Sequence, residues 1–402
     1  MPRTAQFAIF LLVLLLVLGG MHFYLWARLV RDPAVAEPWR RALTVALVLA
    51  ALAVPASMFI TRARPSRLGE GIVLVGMTWL GVSFLMFSAL VAADLLRLGA
   101  AAVASAWDWI RHDPAPPPDP ARRQLLARAV ASGAVLAVGG ASALAVRNAL
   151  AEPEIHEVPL RLERLPRALS GLSIAQISDL HVGPTIGEED VRRVVAATNR
   201  LRPDVVAITG DLVDGTVPAL ERAVSQLGAL EARYGVYFVT GNHEYYSGVE
   251  PWLAFLRRLG VRVLRNESVA VGEPGASFDL AGIDDWRSGG LAPGHGPDLP
   301  KALAGRDPER SLVLLAHQPK GVEEAVRSGV ELQLSGHTHG GQIFPFNLVT
   351  AMAYPYLRGL YRHEEEGRAA HVFVSRGTGY WGPPMRLGNA PEIARITLAS
   401  GV

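Results

Sequence analysis

Four apolar runs in the first 150 residues constrain the fold of this chain more than any other feature. They cover residues 7–26, 42–60, 72–93 and 125–146. Each is close to the ~20 residues with which an α-helix crosses the hydrocarbon core of a bilayer. A backbone inside lipid must satisfy its own hydrogen bonds, and a helix does so within one segment. The sequence therefore predicts a helical membrane region of four transmembrane spans over residues 1–150.

The chain changes character after residue 150. Residues 1–150 carry 14 arginines against 7 acidic residues, whereas the remainder carries 25 Lys and Arg against 30 Asp and Glu. An acidic second part without a basic stripe gives no reason to expect nucleic-acid binding. The chain has no cysteine, which excludes disulfides, thiolate zinc sites and thiol nucleophiles.

The distribution of arginine between the loops predicts the orientation of the membrane region, because positively charged loops stay in the cytoplasm. Nine arginines lie in the first loop and before the fourth run, namely Arg28, Arg31, Arg40, Arg41, Arg97, Arg111, Arg122, Arg123 and Arg128. Five lie on the opposite side, namely Arg3, Arg62, Arg64, Arg67 and Arg147. We therefore expect a multi-pass protein of the cell membrane with an extracytoplasmic C-terminal domain.

The fourth run has two interpretations. Arg122 and Arg123 precede a moderately apolar stretch that is rich in Ala and Gly and ends in small residues near 149–151. This pattern resembles a twin-arginine export signal with a cleavage site. The same arginines also suit a cytoplasmic anchor for a transmembrane span. Both interpretations send the C-terminal domain outward.

The rest of the chain alternates strand-like runs with amphipathic helices, which predicts an α/β domain over residues 172–402. The prolines of 113–120 predict a stiff linker, and 151–171 a tether with a first edge strand. Predicted strands are 172–177, 205–209, 236–240, 278–283, 312–316, 332–335, 371–375 and 393–398, and predicted helices 188–201, 217–233, 249–259 and 319–328.

Metal-ligating side chains follow five of these strands, where α/β sheets place their sites. The motifs are Asp179-Leu180-His181, Gly210-Asp211-Leu212-Val213-Asp214, Gly241-Asn242-His243-Glu244, Ala316-His317-Gln318 and Gly336-His337-Thr338-His339-Gly340-Gly341-Gln342. Residues i and i+2 of an extended segment point the same way, so a pair such as Asp179 and His181 can reach one cation. Each motif alone is common in turns. Together they predict a two-metal site, a device for phosphoester hydrolysis.

In this order the motifs resemble the calcineurin-like metallophosphoesterase superfamily, over roughly residues 172–398, in its bacterial membrane-associated branch typified by YaeI and YkuE. The resemblance implies a four-layer αββα sandwich. It also implies two divalent metal ions, Mn, Fe or Zn, that hydrolyse phosphoesters through a metal-activated hydroxide. The implied ligands are Asp179, His181, Asp211 and His339 for one metal, and Asp211, Asn242, His317 and His337 for the other.

Three further roles are expected around these ligands. By the same resemblance, His243 would contact the phosphate and stabilise or protonate the leaving oxygen. Asp214 and Glu244 would orient the ligands. Independently of the resemblance, Arg376 is a candidate contact to phosphate or to a lipid headgroup.

Three functions remain open at this point. A membrane anchor favours a phosphodiesterase or phosphatase that acts on lipid or cell-envelope phosphoesters, with membrane lipid as a partner. A pyrophosphatase that cuts a nucleotide-linked lipid precursor would instead need a cytoplasmic active site. A non-catalytic membrane sensor or scaffold would bind metal and ligand without turnover.

Overall fold

The computed structural model describes residues 3–60, 67–112 and 119–401. They divide into two compact units, Met1–Ala145 and Val146–Val402. Most of the linker predicted at 113–120 lies outside the described residues, as do Arg62 and Arg64 of the orientation argument.

Long apolar helices make up the first unit, and the last of them ends in the second. They are α1 (Arg3–Trp26), α2 (Trp39–Ile60), α3 (Arg67–Arg111) and α4 (Pro120–Ala149), and one π-helical turn extends α1 to Arg31. By length and composition, all four can cross a membrane. Helix α3 extends to Arg111, beyond the predicted run 72–93, because the Ala- and Leu-rich sequence that follows also favours a helix.

Polar contacts join α1 to α3 inside this unit. The indole of Trp79 donates to His22 Nε2 at 2.9 Å, and the Tyr24 hydroxyl donates to Asp94 Oδ2 at 2.6 Å. Arg28 also pairs with Asp94 at 2.7 Å. Polar groups in an apolar bundle need such partners, which fix how two helices pack.

Two six-stranded sheets form the frame of the second unit in the described chain, with orders β1-β12-β2-β3-β4-β5 and β10-β11-β9-β8-β7-β6. The strands are β1 (Glu154–Leu162), β2 (Ser173–Ile177), β3 (Val205–Ile208), β4 (Val236–Phe238), β5 (Arg262–Val263), β6 (Glu267–Glu273), β7 (Ala276–Gly282), β8 (Leu312–Leu315), β9 (Leu332–Ser335), β10 (Gly359–Glu365), β11 (Arg368–Val374) and β12 (Glu392–Ser400). Strands β2 to β5 run parallel, as do β7, β8, β9 and β11. Central strands such as β3 and β8 are buried throughout, which explains their unbroken apolar sequences.

Helices pack on the outer face of each sheet. Those on the first sheet are α5 (Glu188–Arg200), α6 (Val217–Val224), α7 (Asn242–Ser247) and α8 (Val249–Arg258), and those on the second are α9 (Leu299–Ala302) and α10 (Val322–Arg327). Helix α11 (Phe346–Ala353) packs against the loop that follows β9. One core packs Val194 and Trp252 of the helices onto the first sheet, and another joins Ile174 to Phe278 between the sheets. A third core includes Val326 of α10 on the second sheet. The four-layer αββα sandwich is confirmed.

The elements that the pattern did not predict are short or exposed. Strands β5, β6 and β10 and helices α7, α9 and α11 fall in this class, whereas the edge strand expected within 151–171 is β1. The helix predicted over 217–233 ends at Val224 and continues as a 3₁₀ turn to Ala229. At this point the Ser225 hydroxyl donates to the Glu221 carbonyl, a local bond that competes with the regular helix.

The core between the helices and the first sheet depends on Trp252. This side chain is 0% exposed and its indole N–H donates to the Gly215 carbonyl at 2.8 Å. We expect Trp252→Ala to destabilise the second unit by about 3–5 kcal/mol, because the change leaves a large cavity. Thermal unfolding of the detergent-solubilised full chain should show a lower midpoint. Leu360→Ala, at an exposed position on β10, is the control, and equal midpoints for the two variants would contradict the packing argument.

Candidate metal centre

Five loops at one edge of the sandwich bring the predicted ligands together. They follow the carboxyl ends of β2, β3 and β4 in the first sheet and of β8 and β9 in the second. Neighbouring parallel strands end side by side, so their loops meet. The structure brings together three groups of side chains, and within each group the ligand atoms lie within 4.8 Å of one another. The groups are Asp179, His181 and His339; His181, Asp211 and His243; and Asp211, His317 and His337.

The distances between these atoms suit divalent cations. His181 Nε2 and His339 Nε2 are 3.1 Å apart, and His317 Nε2 lies 3.2 Å from both His337 Nδ1 and Asp211 Oδ2. His339 Nε2 lies 3.5 Å from Asp179 Oδ1. Two ligands at about 2.1 Å from a tetrahedral ion are about 3.4 Å apart. Ring nitrogens that face each other this closely need a proton or a cation between them.

Asn242 supplies independent support for a bound cation. Its side chain is 5% exposed, and its Oδ1 atom has no hydrogen-bond partner among the described residues. A buried polar atom without a partner costs about 1–3 kcal/mol. A carbonyl oxygen is a suitable ligand for a hard or borderline divalent ion, which would remove this cost. The residues present therefore fit a metal.

Hydrogen bonds on the outer side of the imidazoles set their tautomers. The Nδ1–H groups of His181 and His243 both donate to Asp214 Oδ1, at 3.1 and 2.5 Å. His317 Nδ1–H donates to the Thr209 carbonyl at 2.8 Å. The three Nε2 atoms therefore face the site, where those of His181 and His317 can bind a metal and that of His243 can contact a substrate.

Glu244 joins the loops that follow β3 and β4. Its carboxylate accepts the backbone N–H of Gly241 at 2.6 Å, of Asp211 at 3.1 Å and of Leu212 at 2.7 Å. Burial and the nearby charge of Asp211 raise the pKa of Glu244 to about 7, although the N–H donors oppose this rise. Glu244 therefore positions Asp211 through the backbone.

The backbone at the ligands is unusual. Five candidate ligands have a positive φ between 50° and 71°, namely Asp179, His181, Asp211, His337 and His339. Residues other than glycine rarely adopt this left-handed conformation, and such strain concentrates at functional sites. Gly241 permits the close approach of two loops, because a Cβ atom there would lie 2.2 Å from Asp211 Oδ1.

Buried carboxylates dominate the electrostatics. Burial disfavours a charged His243, but the charge of Asp211 and the hydrogen bond to Asp214 outweigh burial and raise its pKa to about 9. Asp211 also raises the pKa of His317 despite burial. Burial and the charge of His317 lower the pKa of His337 to about 3. The site is thus rich in negative charge that attracts cations.

Aromatic side chains surround the histidines. The Tyr354 hydroxyl lies 2.9 Å from His337 Nε2. The rings of Tyr246 and Trp381 lie 5.2 and 5.7 Å from the His243 ring, edge to face, and both side chains are more than half exposed. These aromatics border the open side of the site.

Two arginines differ from expectation in their placement. Arg376 is not among the clustered residues, because its guanidinium pairs with Glu392 at 2.6 Å and Glu154 at 3.5 Å. Sequence reasoning missed Arg386, which is 0% exposed and whose Nη2 lies 3.3 Å from His339 Nδ1. No motif spacing marks Arg386, so only the fold reveals it.

Comparison with known proteins agrees with this picture. The calcineurin-like phosphoesterase family matches residues 172–341. The transmembrane protein with metallophosphoesterase domain of Danio rerio is 38% identical over 416 residues, which cover 98% of this chain and 89% of that protein. An uncharacterized metallophosphoesterase of Helicobacter pylori is 38% identical over 69% of this chain and 73% of its own length. The uncharacterized metallophosphoesterase YkuE of Bacillus subtilis is 30% identical over 69% of this chain and 98% of its own length.

The fold and the clustered ligands define a membrane-associated, metal-dependent phosphoester hydrolase. The chain belongs to the calcineurin-like metallophosphoesterase family, and the resemblance drawn from its motifs is confirmed. The family and the ligand cluster together are compatible with a dinuclear metal site.

We predict that Asp214→Asn impairs the site without unfolding the chain. Asparagine has the same size but no charge, so it stabilises the two imidazole N–H donors less well. Loss of such an outer partner typically costs about 10–100-fold in metal affinity or activity. Metal content and turnover of a soluble phosphodiester measure the effect. Asp307→Asn, at a half-exposed surface position, is the control, and equal values for both variants would show that Asp214 does not orient the ligands.

Proposed function

We propose that this chain hydrolyses phosphodiesters or phosphomonoesters, with preference for lipid or cell-envelope substrates, at a centre of two divalent metal ions. Mn, Fe and Zn all suit the mixed imidazole and carboxylate donors. The first ion would be held by Asp179, His181, Asp211 and His339, and the second by Asp211, Asn242, His317 and His337.

The side chains around these ions would have distinct roles. The bound cations would supply positive charge and an activated water near neutral pH. Asp214 holds His243 Nδ1, so that Nε2, which lies 3.9 Å from Asp211 Oδ2, faces the site. His243 would donate a proton from this Nε2 to the leaving oxygen. Glu244 and Asp214 act as positioning residues.

The observation that carries the proposal is the convergence on Asp211. Its Oδ2 lies 3.2 Å from His317 Nε2 and 3.9 Å from Nε2 of both His181 and His243. Asp211 would therefore be the ligand common to both ions, whose positive charge would compensate its buried carboxylate.

Replacement of Asp211 tests the metal assignment. We expect Asp211→Ala to bind fewer than two metal ions per chain and to lose activity by about 10²–10³-fold or more, because the shared ligand is gone. Elemental analysis and turnover of bis(4-nitrophenyl) phosphate measure the two effects. Glu189→Ala, at an exposed carboxylate on α5, is the control. Near-normal turnover by metal-loaded Asp211→Ala would refute the assignment.

We also propose that the protein is multi-pass and that its catalytic unit is extracytoplasmic. The support is the arginine excess in the first and third loops together with four helices long enough to span. An extracytoplasmic site would meet lipid and envelope phosphoesters directly.

The absence of cysteine makes this topology directly testable. We expect Glu366→Cys, in the turn between β10 and β11, to react with a membrane-impermeant maleimide in intact cells. Ala36→Cys, exposed in the first loop, should react after lysis and not before. The reverse labelling pattern would contradict the proposed orientation.

A specific groove favours a second candidate function. A shallow, open groove of about 500 Å³ is lined by Tyr246, Trp286, Arg287, Gly290, Leu291 and Lys320. Arg287 and Lys320 bring two positive charges to this groove, and Tyr246 packs on His243. Two such cations would suit a second anionic group, as in a pyrophosphatase of a nucleotide-linked lipid precursor. Cytoplasmic labelling of Glu366→Cys would favour this candidate.

A further inference from the structure

An exposed apolar surface, here called the collar, borders the metal centre. It consists of Phe344, Leu348, Val349, Met352 and Trp381, whose exposures are 52%, 58%, 57%, 89% and 55%. A water-soluble surface rarely collects large apolar side chains in this way, and such patches mark interaction sites.

The collar is one continuous feature. Leu348, Val349 and Met352 lie on one side of α11 at helical spacing, while Thr350 on the opposite side is buried. Gln342, just before Phe344, links the two halves of the collar. Its Nε2 donates to the Trp381 carbonyl at 3.0 Å, and its Oε1 accepts the Trp381 N–H at 2.9 Å.

The collar lies directly beside the reacting groups. The Trp381 ring contacts His243, and Tyr354, which follows α11, contacts His337 Nε2. Whatever binds the collar is therefore held at the mouth of the proposed catalytic site.

The end of α4 indicates what covers the collar. Pro120–Ala149 is long and apolar enough to span a membrane, and its last residues belong to the second unit. Ala149 packs with Ile186 and Tyr380 in a small apolar cluster. Asn148 Nδ2 donates to the Arg386 carbonyl at 3.3 Å. The end of a candidate span thus contacts the segment that carries Trp381.

We infer that the collar docks on the surface of the membrane in which the protein is anchored, with its side chains at the boundary between headgroups and acyl chains. Short helices with exposed Leu, Val, Met and aromatic side chains bind bilayers in this manner. The substrate is then a membrane-resident phosphoester whose headgroup enters the site from the bilayer. This second statement rests on the proposed function, whereas the docking does not.

The docking is tested with the full chain, which has no native cysteine. A nitroxide label is attached to Met352→Cys after reconstitution in vesicles of phosphatidylethanolamine and phosphatidylglycerol. We expect the label to be more accessible to oxygen than to a water-soluble nickel chelate. The same label at Ile155→Cys, on exposed edge strand β1, should show the aqueous pattern. An aqueous pattern at position 352, or dipolar broadening from a second copy, would overturn the docking.

The substrate class is tested by a matched pair of esters with one leaving group. 4-Nitrophenyl hexadecyl phosphate resides in the vesicles, whereas 4-nitrophenyl ethyl phosphate stays in water. We expect the triple change Leu348→Gln, Val349→Gln and Met352→Gln to lower turnover of the hexadecyl ester by about tenfold or more, and to spare the ethyl ester. Glutamine keeps good helix propensity.

The two experiments test the membrane docking of the collar and the membrane-resident substrate separately. Equal turnover of the hexadecyl ester by the wild type and the triple variant would overturn the membrane-resident substrate. If the wild type cleaves neither ester, the proposed function fails, and the nitroxide at position 352 still decides the docking.

Discussion

The buried charge of Asp211 is the constraint on which the rest of the site depends. Its side chain is 2% exposed, and a buried carboxylate is stable only when positive charge or donors compensate it. Three imidazole Nε2 atoms lie within 3.9 Å of its Oδ2, and the backbone N–H of His243 donates to Oδ1 at 2.9 Å. Asp179 and Glu244 add further acidic groups nearby. This concentration of negative charge explains why the fold builds a cation site here.

The two-sheet architecture holds these acidic and imidazole side chains close together. Loops from both sheets end at the same edge, and each brings one or two candidate ligands. The Asp214 carboxylate accepts a hydrogen bond from both His181 and His243, and the Thr209 carbonyl accepts one from His317. Left-handed backbone at five ligands persists because short loops between buried strands hold them in place. Such a preformed site loses little order when it binds its ions.

The surroundings of the site differ in chemistry from side to side. Arg287 and Lys320 line the groove next to Tyr246, whereas Trp381 and α11 present apolar side chains next to His243 and His337. A phosphoester with a polar anionic part and an apolar part matches both sides. Under the proposed membrane docking, the apolar helices of the first unit and the acidic second unit would both serve hydrolysis at a lipid surface.

Periodicity and motif order in the sequence determined much of this protein. Four apolar runs predicted the long helices, and residues such as Asp211 and His317 were found because they follow unbroken apolar strands. These signals depend on neighbouring residues, so they can be recognised in the sequence alone. Tertiary structure alone decided which long-range partners meet: Arg386 beside His339, Tyr354 on His337, Arg376 held by Glu392, and the exposure of α11. Such contacts join residues far apart in the chain, or depend on which face of a helix remains uncovered, and no short-range pattern encodes them.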